Sequence, residues 1–512
     1  MLCLNVLILS GNIVETLENK SGILYQKSKF FLYRVLTYFT FLLLPIYLQK
    51  EVNISRPVSV VVMVLYCMFI MGQWFLLGKE IDHRLKIYFR VNSSIDRIVY
   101  RLFMGMFFMT IYFNIINLLP GKWVYNIFWI TWVVLGLFYS WPTRGKIIQE
   151  SVSSNFHEYR YLDRFEKTIL FLIVAMFVAS IPEFPNLATA NSLKLFFDPS
   201  ERISGAFWSF LQVNYYPFKK YPDLFKIAWC VHFYFLTTSM YLMTFYAILR
   251  YFVSRRLAVL GVFALISSWS FSKILALNFG NSLLTSYSIL WIWTLLWCTK
   301  SSTYRSGLFV GLVGAWGIVI DKTNIILFGM QLFALHTLFL KNKTYWYRRQ
   351  FFKYNTFGVI LGVLVFLLST STLEFKIAES FASSFVDIWS LIERKAFFIL
   401  SLFGFCIFFG KVLYQKKDST KLINLPSDKM NEFAFGVGLL FLSGLVFESR
   451  FFKDFSILWL LAFLSVIPIE LIFQKIRRLR SSRNMIYMIY IIICLLDSHF
   501  EGRVKILLRM FN

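Results

Sequence analysis

Acidic side chains are scarce in this chain. Against 53 Lys and Arg stand 27 Asp and Glu, and charged residues of either sign make up only 16% of the whole. With 58% hydrophobic residues and a mean hydropathy of +0.63, the scarcity runs the full length and excludes a large soluble domain. Cysteine is sparse as well. The six (Cys3, Cys67, Cys230, Cys298, Cys406, Cys494) lie far apart, mostly inside apolar segments, with no pairing pattern and no metal-ligand spacing. They read as small core hydrophobes. The apolar stretch Leu2–Leu9 has no basic region ahead of it and no clear cleavage site, so a cleaved signal peptide is not expected. The net charge of +26 could point to nucleic acid, but no aromatic-rich basic module is present, so nucleic acid is not expected as a partner.

What the chain does have is a regular alternation. Apolar segments recur at 30–48, 58–77, 102–119, 123–139, 168–182, 227–252, 257–272, 282–298, 306–320, 324–340, 354–372, 396–413, 433–447 and 454–473. A helix needs roughly 20 apolar residues to cross about 30 Å of hydrocarbon. The expected fold class is therefore all-α: a polytopic integral membrane protein of about 14 transmembrane helices. Met485–Leu496 is short for a span and is expected in the interface.

Lys and Arg cluster in every second gap. With a cytoplasmic N-terminus, the inside loops hold 34 of the 53 and the outside loops 15. Cytoplasmic loops collect such residues, so the expected orientation is N-terminus in. The strongly basic segment Lys79–Arg101 then reads as an amphipathic helix on the cytoplasmic face, drawn to anionic lipid. Two long segments, Glu183–Lys226 and Leu373–Lys395, fall outside. The first interleaves aromatics with charge, as in Phe207-Trp208 and Tyr215-Tyr216-Pro217-Phe218, which suits helices lying flat at headgroup depth.

Charges buried near the midplane mark ion and proton pathways. No expected span centre carries Asp, Glu or Lys, which argues against an ion-coupled transporter. His232 is the polar exception, in the outer part of its span. A lone membrane histidine more often bonds helix to helix than catalyses. The acids gather in the first outer loop: Glu183 directly follows the span 168–182, and Asp198, Glu201 and Asp223 come after it. A carboxylate held partly desolvated at a membrane surface can take the proton of an incoming hydroxyl or amine. Arg202, Lys219, Lys220 and Lys322 face the same side and can hold a lipid phosphate. Each of these, taken alone, is more readily read as a solvated loop residue.

From about 168 to 372 this layout resembles the GT-C class of membrane glycosyltransferases, in particular the branch of protein O-mannosyltransferases and aminoarabinose lipid A transferases. Tyr221-Pro222-Asp223-Leu224 looks like the family's proline-containing stretch before its second span, which here closes on Arg250 and Ser254-Arg255-Arg256. Ala264-Leu265-Ile266-Ser267-Ser268-Trp269-Ser270 is similar to the family's turn of small residues and Trp. Asn278–Thr285 sits where the family often has an acid before an apolar start, with Asn281 at the acid's place. The run from Tyr304 through Gly307, Gly311, Gly314 and Gly317 to Asp321-Lys322-Thr323 looks like the family's glycine-rich fifth span ending in an outer Lys. Such small-residue spacing also serves plain helix packing. The family usually carries an acidic pair early in its first outer loop, whereas Glu183 stands alone and Asp198 follows fifteen residues later.

The resemblance implies three parts: an added four-span block at 1–167, a GT-C-like core at 168–372 with its outer loop at 183–226, and further spans with a short tail at 373–512. It implies a cell-envelope transferase that takes sugar from a polyprenyl-phosphate-linked donor to a glycan, lipid or protein acceptor; the sequon on the inside and the short tail fit a bacterial inner membrane. Glu183 and Asp198 are its candidate catalytic acids. Lys322, Arg202, Lys219, Lys220, His232 and Asn281 are its candidate substrate-binding residues. Acids beside phosphate suit Mg²⁺ or Mn²⁺, but no dedicated ligand cluster stands out, so the cofactor is left open. Two other readings stand beside this one: a non-enzymatic glycolipid or polysaccharide flippase, and a polysaccharide polymerase or ligase relying on outer arginines.

Overall fold

The structure, a computed structural model of the chain, describes residues 31–43, 56–87, 94–116, 121–140, 162–180, 238–268, 289–298, 303–320, 328–329, 331–333, 335, 340–367, 395–414, 433–438, 450–476 and 482–496. These residues are helical apart from short turns, and no strand occurs among them. The protein is all-α. The helices named below are α1 (Arg56–Leu85), α2 (Ser94–Ile116), α3 (Gly121–Ser140), α4 (Arg164–Ser180), α5 (Arg255–Ile266), α6 (Ser306–Ile320), α7 (Tyr345–Leu367), α8 (Lys395–Tyr414), α9 (Arg450–Lys475) and α10 (Arg483–Leu496). Helical stretches at 31–43, 238–252, 289–298 and 433–438 pack among them. Among the described residues one helix, Val64–Leu85, is long and apolar enough by itself to cross a membrane. Others, such as Ile289–Cys298 and Leu458–Phe473, are apolar but shorter.

The expectation of one amphipathic helix over Lys79–Arg101 is not met. Residues 79–85 are the last turns of α1, and 94–101 open α2. Between them Lys86 takes the left-handed conformation, φ 50°, while its N–H still reaches the Asp82 carbonyl at 2.7 Å. That is how a helix closes, since a left-handed residue turns the chain off the axis. The short helix near Met485, expected in the interface, packs one face on the bundle and leaves Met485, Met488, Ile489 and Ile492 exposed on the other. On α10, Tyr487, Tyr490, Ile491 and Cys494 are buried, and the Tyr490 and Ser465 hydroxyls share a hydrogen bond of 2.7 Å.

Glycine lets the helices touch backbone to backbone. In α1 and α2 a methyl on Gly78 would overlap the Arg101 carbonyl, and one on Gly105 the Trp74 carbonyl. These contacts make the pair antiparallel. In α6 and α7, Gly307 meets the Phe351 carbonyl, Gly311 that of Asn355, and Gly358 that of Leu308, so this pair runs parallel. In α8 and α9, Gly404 lies on the Leu464 carbonyl and the Ser401 hydroxyl donates to the Leu461 carbonyl at 2.9 Å, again parallel. Pro468 explains the Leu464 contact: proline has no N–H, so the carbonyl four residues back is left without its helical donor. Neighbouring helices that pack in parallel need a return of the chain between them.

Aromatic rings fill the space between these pairs. Tyr100 stacks on Trp297 at 5.2 Å and Trp293 on Trp297 at 5.7 Å, with Phe309 edge-on to both. A second group joins Phe252, Phe408, Phe433 and Phe463 around Trp459. Such offset and edge-on pairs each add about 0.5–1.5 kcal/mol beyond the area they bury.

The outward faces are equally apolar. On α8 the exposed residues include Ile399, Leu402, Phe403, Phe405, Cys406 and Phe409. On α7 the exposed face runs Trp346, Arg349, Lys353, Thr356, Phe357, Ile360 and Leu364, one step per turn. It passes from cations to hydrocarbon between Lys353 and Phe357. The face of α4 does the same: Arg164, Thr168, then Phe171 (71% exposed) and Val174. At both boundaries a threonine donates back to its own helix, Thr356 to the Phe352 carbonyl and Thr168 to the Arg164 carbonyl.

Candidate functional site

Five carboxylates described in the structure, Asp82, Asp96, Asp163, Glu166 and Glu470, lie at helix ends that pack together in a polar seam. It begins at the start of α4, where Asp163 and Glu166 form a reciprocal capping box. The Glu166 N–H donates to Asp163 Oδ1 at 2.7 Å, and the Asp163 N–H donates to Glu166 Oε2 at 3.0 Å. An acid at the cap and another three residues on is the pattern that satisfies the free N–H groups of a first turn. The same carboxylates then take two consecutive arginines from the next segment. Arg255 Nε donates to Glu166 Oε1 at 2.6 Å, and Arg256 donates to Asp163 Oδ2 at 2.5 Å. Glu166 is only 1% exposed, while Arg255 keeps a wet edge. The hydrogen bond from Arg255 to this carboxylate holds its guanidinium further up in pKa than usual.

The seam continues on both sides. The Ser254 N–H, one residue before the arginines, donates to Glu470 of α9 at 3.2 Å. Asp82 near the end of α1 accepts from Arg101 Nη2 at 3.0 Å and Nε at 3.2 Å. Asp96, 1% exposed in the first turn of α2, accepts from Trp293 Nε1 at 2.9 Å and from the Tyr251 hydroxyl at 3.3 Å. The Thr303 hydroxyl donates to the Ile87 carbonyl and Arg305 to the Leu85 carbonyl, closing α6 onto the end of α1. Four gaps in the apolar pattern thus contribute, 79–101, 144–167, 250–256 and 300–305, together with Glu470 near the end of α9. They are gaps that the Lys/Arg count puts on one side.

Chemically the seam is a clasp. Asp82, Asp163 and Glu166 each hold a guanidinium, Asp96 holds an indole and a phenol, and Glu470 holds a backbone N–H. Carboxylates committed in this way bind helix ends together and are poorly placed to take protons from a substrate. Sequence reading missed the seam because its acids sit among many more Lys and Arg, where they look solvated. The one local signal was the Asp163-x-x-Glu166 spacing just before an apolar run.

The residues picked out from sequence all lie outside the described residues: the acids Glu183 and Asp198, the cations Lys322, Arg202, Lys219 and Lys220, and His232 and Asn281. They have a common relation to the seam along the chain. Helix α4 leaves the seam and is described to Ser180, three residues before Glu183. Helix α6 leaves it and is described to Ile320, two before Lys322. The stretch 238–252 follows His232 and arrives at the seam, as 289–298 does after Asn281. A 17-residue helix is about 25 Å long, so the described end of α4 stands that far from the clasp. Among the described residues no three His, Cys, Asp or Glu side chains gather as a metal site would require.

Fold and site together define a class: an all-helical bundle, sheathed in apolar side chains and clasped by ion pairs at one end. No family model, no curated protein and no solved structure matches the chain.

Proposed function

We propose that the chain is a polytopic membrane protein that transfers a sugar from a polyprenyl-phosphate-linked donor at the outer face of a bacterial inner membrane. The observation that carries the membrane part is the exposed face of α7 and α4. Each passes from cations to large apolar side chains across a threonine that bonds its own backbone. Water would not favour the contiguous Phe357, Ile360 and Leu364 face, whereas acyl chains are its natural solvent.

The transferase part rests on the GT-C resemblance and is supported by the order of the helices. The four described segments next to the candidate residues in sequence each have their other end in the seam. The seam loops carry the Lys/Arg excess of a cytoplasmic face, so the candidate acids belong to the outside. There Glu183 or Asp198 takes the proton of an acceptor hydroxyl or amine. The freed oxygen or nitrogen attacks the anomeric carbon, the bond from that carbon to the phosphate oxygen breaks, and the lipid phosphate leaves with inversion. Lys322, Arg202, Lys219 and Lys220 neutralise the leaving phosphate, while His232 and Asn281 orient the sugar. The acceptor is a glycan, a lipid or a protein.

Complementation of a loss-of-function strain by Glu183→Gln and Asp198→Asn, at matched membrane expression, tests the proposal. Loss of the surface glycan with either variant is the expected result, since removing a general base typically costs 10²–10⁴-fold. A full glycan profile with both variants overturns the catalytic assignment and favours a flippase.

A further inference from the structure

We infer that the seam end of the bundle carries a binding site for the phosphate of an anionic phospholipid headgroup, built jointly by the end of α1, residues 303–305 and the start of α7. The inference rests on the membrane reading above. Three separate stretches of sequence make it. Arg84 and Lys86 are exposed at the end of α1. Arg305 ties that end to α6 through the Leu85 carbonyl at 2.7 Å, and its guanidinium lies 6.0 Å from the Tyr304 ring. Tyr304 in turn packs edge-on against Trp346 at 5.1 Å and Tyr347 at 6.2 Å, which brings the start of α7 to the same end; Lys341, Lys343 and Arg349 are exposed on and just before it.

The charge is of one sign. Residues 340–357 contain five Lys and Arg and no Asp or Glu, and Asp82, the acid nearest the end of α1, is buried against Arg101. The aromatics are set at the depth a headgroup occupies. Tyr345 and Trp346 are 74% and 58% exposed, and Trp346 stands about three turns before the same helix face turns wholly apolar at Phe357. Exposed Trp and Tyr prefer the interface because one end of the ring is apolar and the other polar. Lys343 Nζ sits 5.2 Å over the Tyr347 ring, a pairing that keeps an ammonium at the surface without neutralising it. An anionic headgroup with acyl chains satisfies all three features together: phosphate on the cations, glycerol beside the rings, chains along Phe357 and Ile360. A soluble anion would use only the first.

The test is native mass spectrometry of the detergent-solubilised chain with phosphatidylglycerol or phosphatidylcholine. Variants are the triple Lys341→Gln/Lys343→Gln/Arg349→Gln and the charge-preserving Lys341→Arg/Lys343→Arg. The wild type and the charge-preserving variant are expected to retain phosphatidylglycerol in preference to phosphatidylcholine. The triple variant is expected to bind it roughly a hundredfold more weakly, at about fivefold per basic residue. It should keep the wild-type melting temperature in phosphatidylcholine, since these side chains are exposed. Equal retention of phosphatidylglycerol by the triple variant overturns the site. Displacement of bound lipid by inorganic phosphate or by polyglutamate at equal charge overturns the lipid assignment. Alkaline carbonate extraction separates the two levels: a chain released to the supernatant sinks the membrane reading itself, whereas an embedded chain without phosphatidylglycerol preference sinks only this inference.

Discussion

Asp163 and Glu166 each satisfy two demands at once, a helix cap and an arginine. Glu166 is nearly inaccessible, so removing its partner leaves a charge with poor access to water. Arg255, by contrast, is 41% exposed, and solvent screens its half of the pair. Glu166→Gln keeps the capping acceptor but loses the charge. It leaves a solvent-screened arginine and is expected to lower stability by about 1 kcal/mol, whereas Arg255→Gln leaves Glu166 charged and buried and is expected to cost roughly 1–3 kcal/mol. In a double-mutant cycle, read by thermal unfolding in detergent, the double variant should cost less than the sum of the singles; exact additivity would mean the contact contributes nothing. Lys86 offers the opposite sign. Its φ of 50° crowds a β-carbon, which glycine lacks. Lys86→Gly is expected to stabilise by up to about 1 kcal/mol, and a drop in melting temperature would show that the side chain contributes more than the strain takes away.

Helices pack here by omission of side chains. The close approach of α8 to α9 needs both Gly404, with no β-carbon, and Pro468, which frees the Leu464 carbonyl to face it. Gly404→Leu would force the helices apart and is expected to cost roughly 1–3 kcal/mol or more. Gly410 lies on the same helix with no atom within 4 Å of where its β-carbon would stand, so Gly410→Leu is the matched control and should be near neutral. Equal melting temperatures for the two would refute the packing argument. Gly307 and Gly311 belong to the same logic against α7. Their spacing was legible in the sequence both as a transferase-like motif and as packing, and packing accounts for the spacing without catalysis.

The whole molecule has two ends of different character. One is the described polar seam; the other is where the helices bordering the candidate acids are described as ending. Single cysteines placed at Lys343 and at Asp198, in a chain stripped of its native thiols, should label differently in intact cells. A membrane-impermeant maleimide is expected to reach Asp198→Cys and to miss Lys343→Cys until the membrane is opened. Labelling of Lys343→Cys in intact cells would invert the orientation and remove the candidate acids from the outer face.

Much of this architecture was already legible. Helix period and apolar run length are local properties, so the all-helical class and the positions of α1 to α9 follow from composition along the chain. The sidedness pattern is local too, because it depends only on which gaps hold Lys and Arg. Local pattern could not tell that 79–85 and 94–101 belong to two helices rather than one, since both are basic and apolar in turn. The choice is made by Lys86, whose left-handed backbone no propensity demands. Nor could it pair Glu166 with Arg255, 89 positions away, or Asp96 with Trp293, 197 away. Those partners are set by which helix ends lie side by side, and that is decided by glycine contacts and ring packing between helices distant in sequence. The sequence by itself determined that the described segments are helices and where α1 to α9 lie along the chain. Tertiary structure alone decided which charges meet, because an ion pair depends on distance in space, and only the packed bundle brings those ends within 3 Å or so of one another.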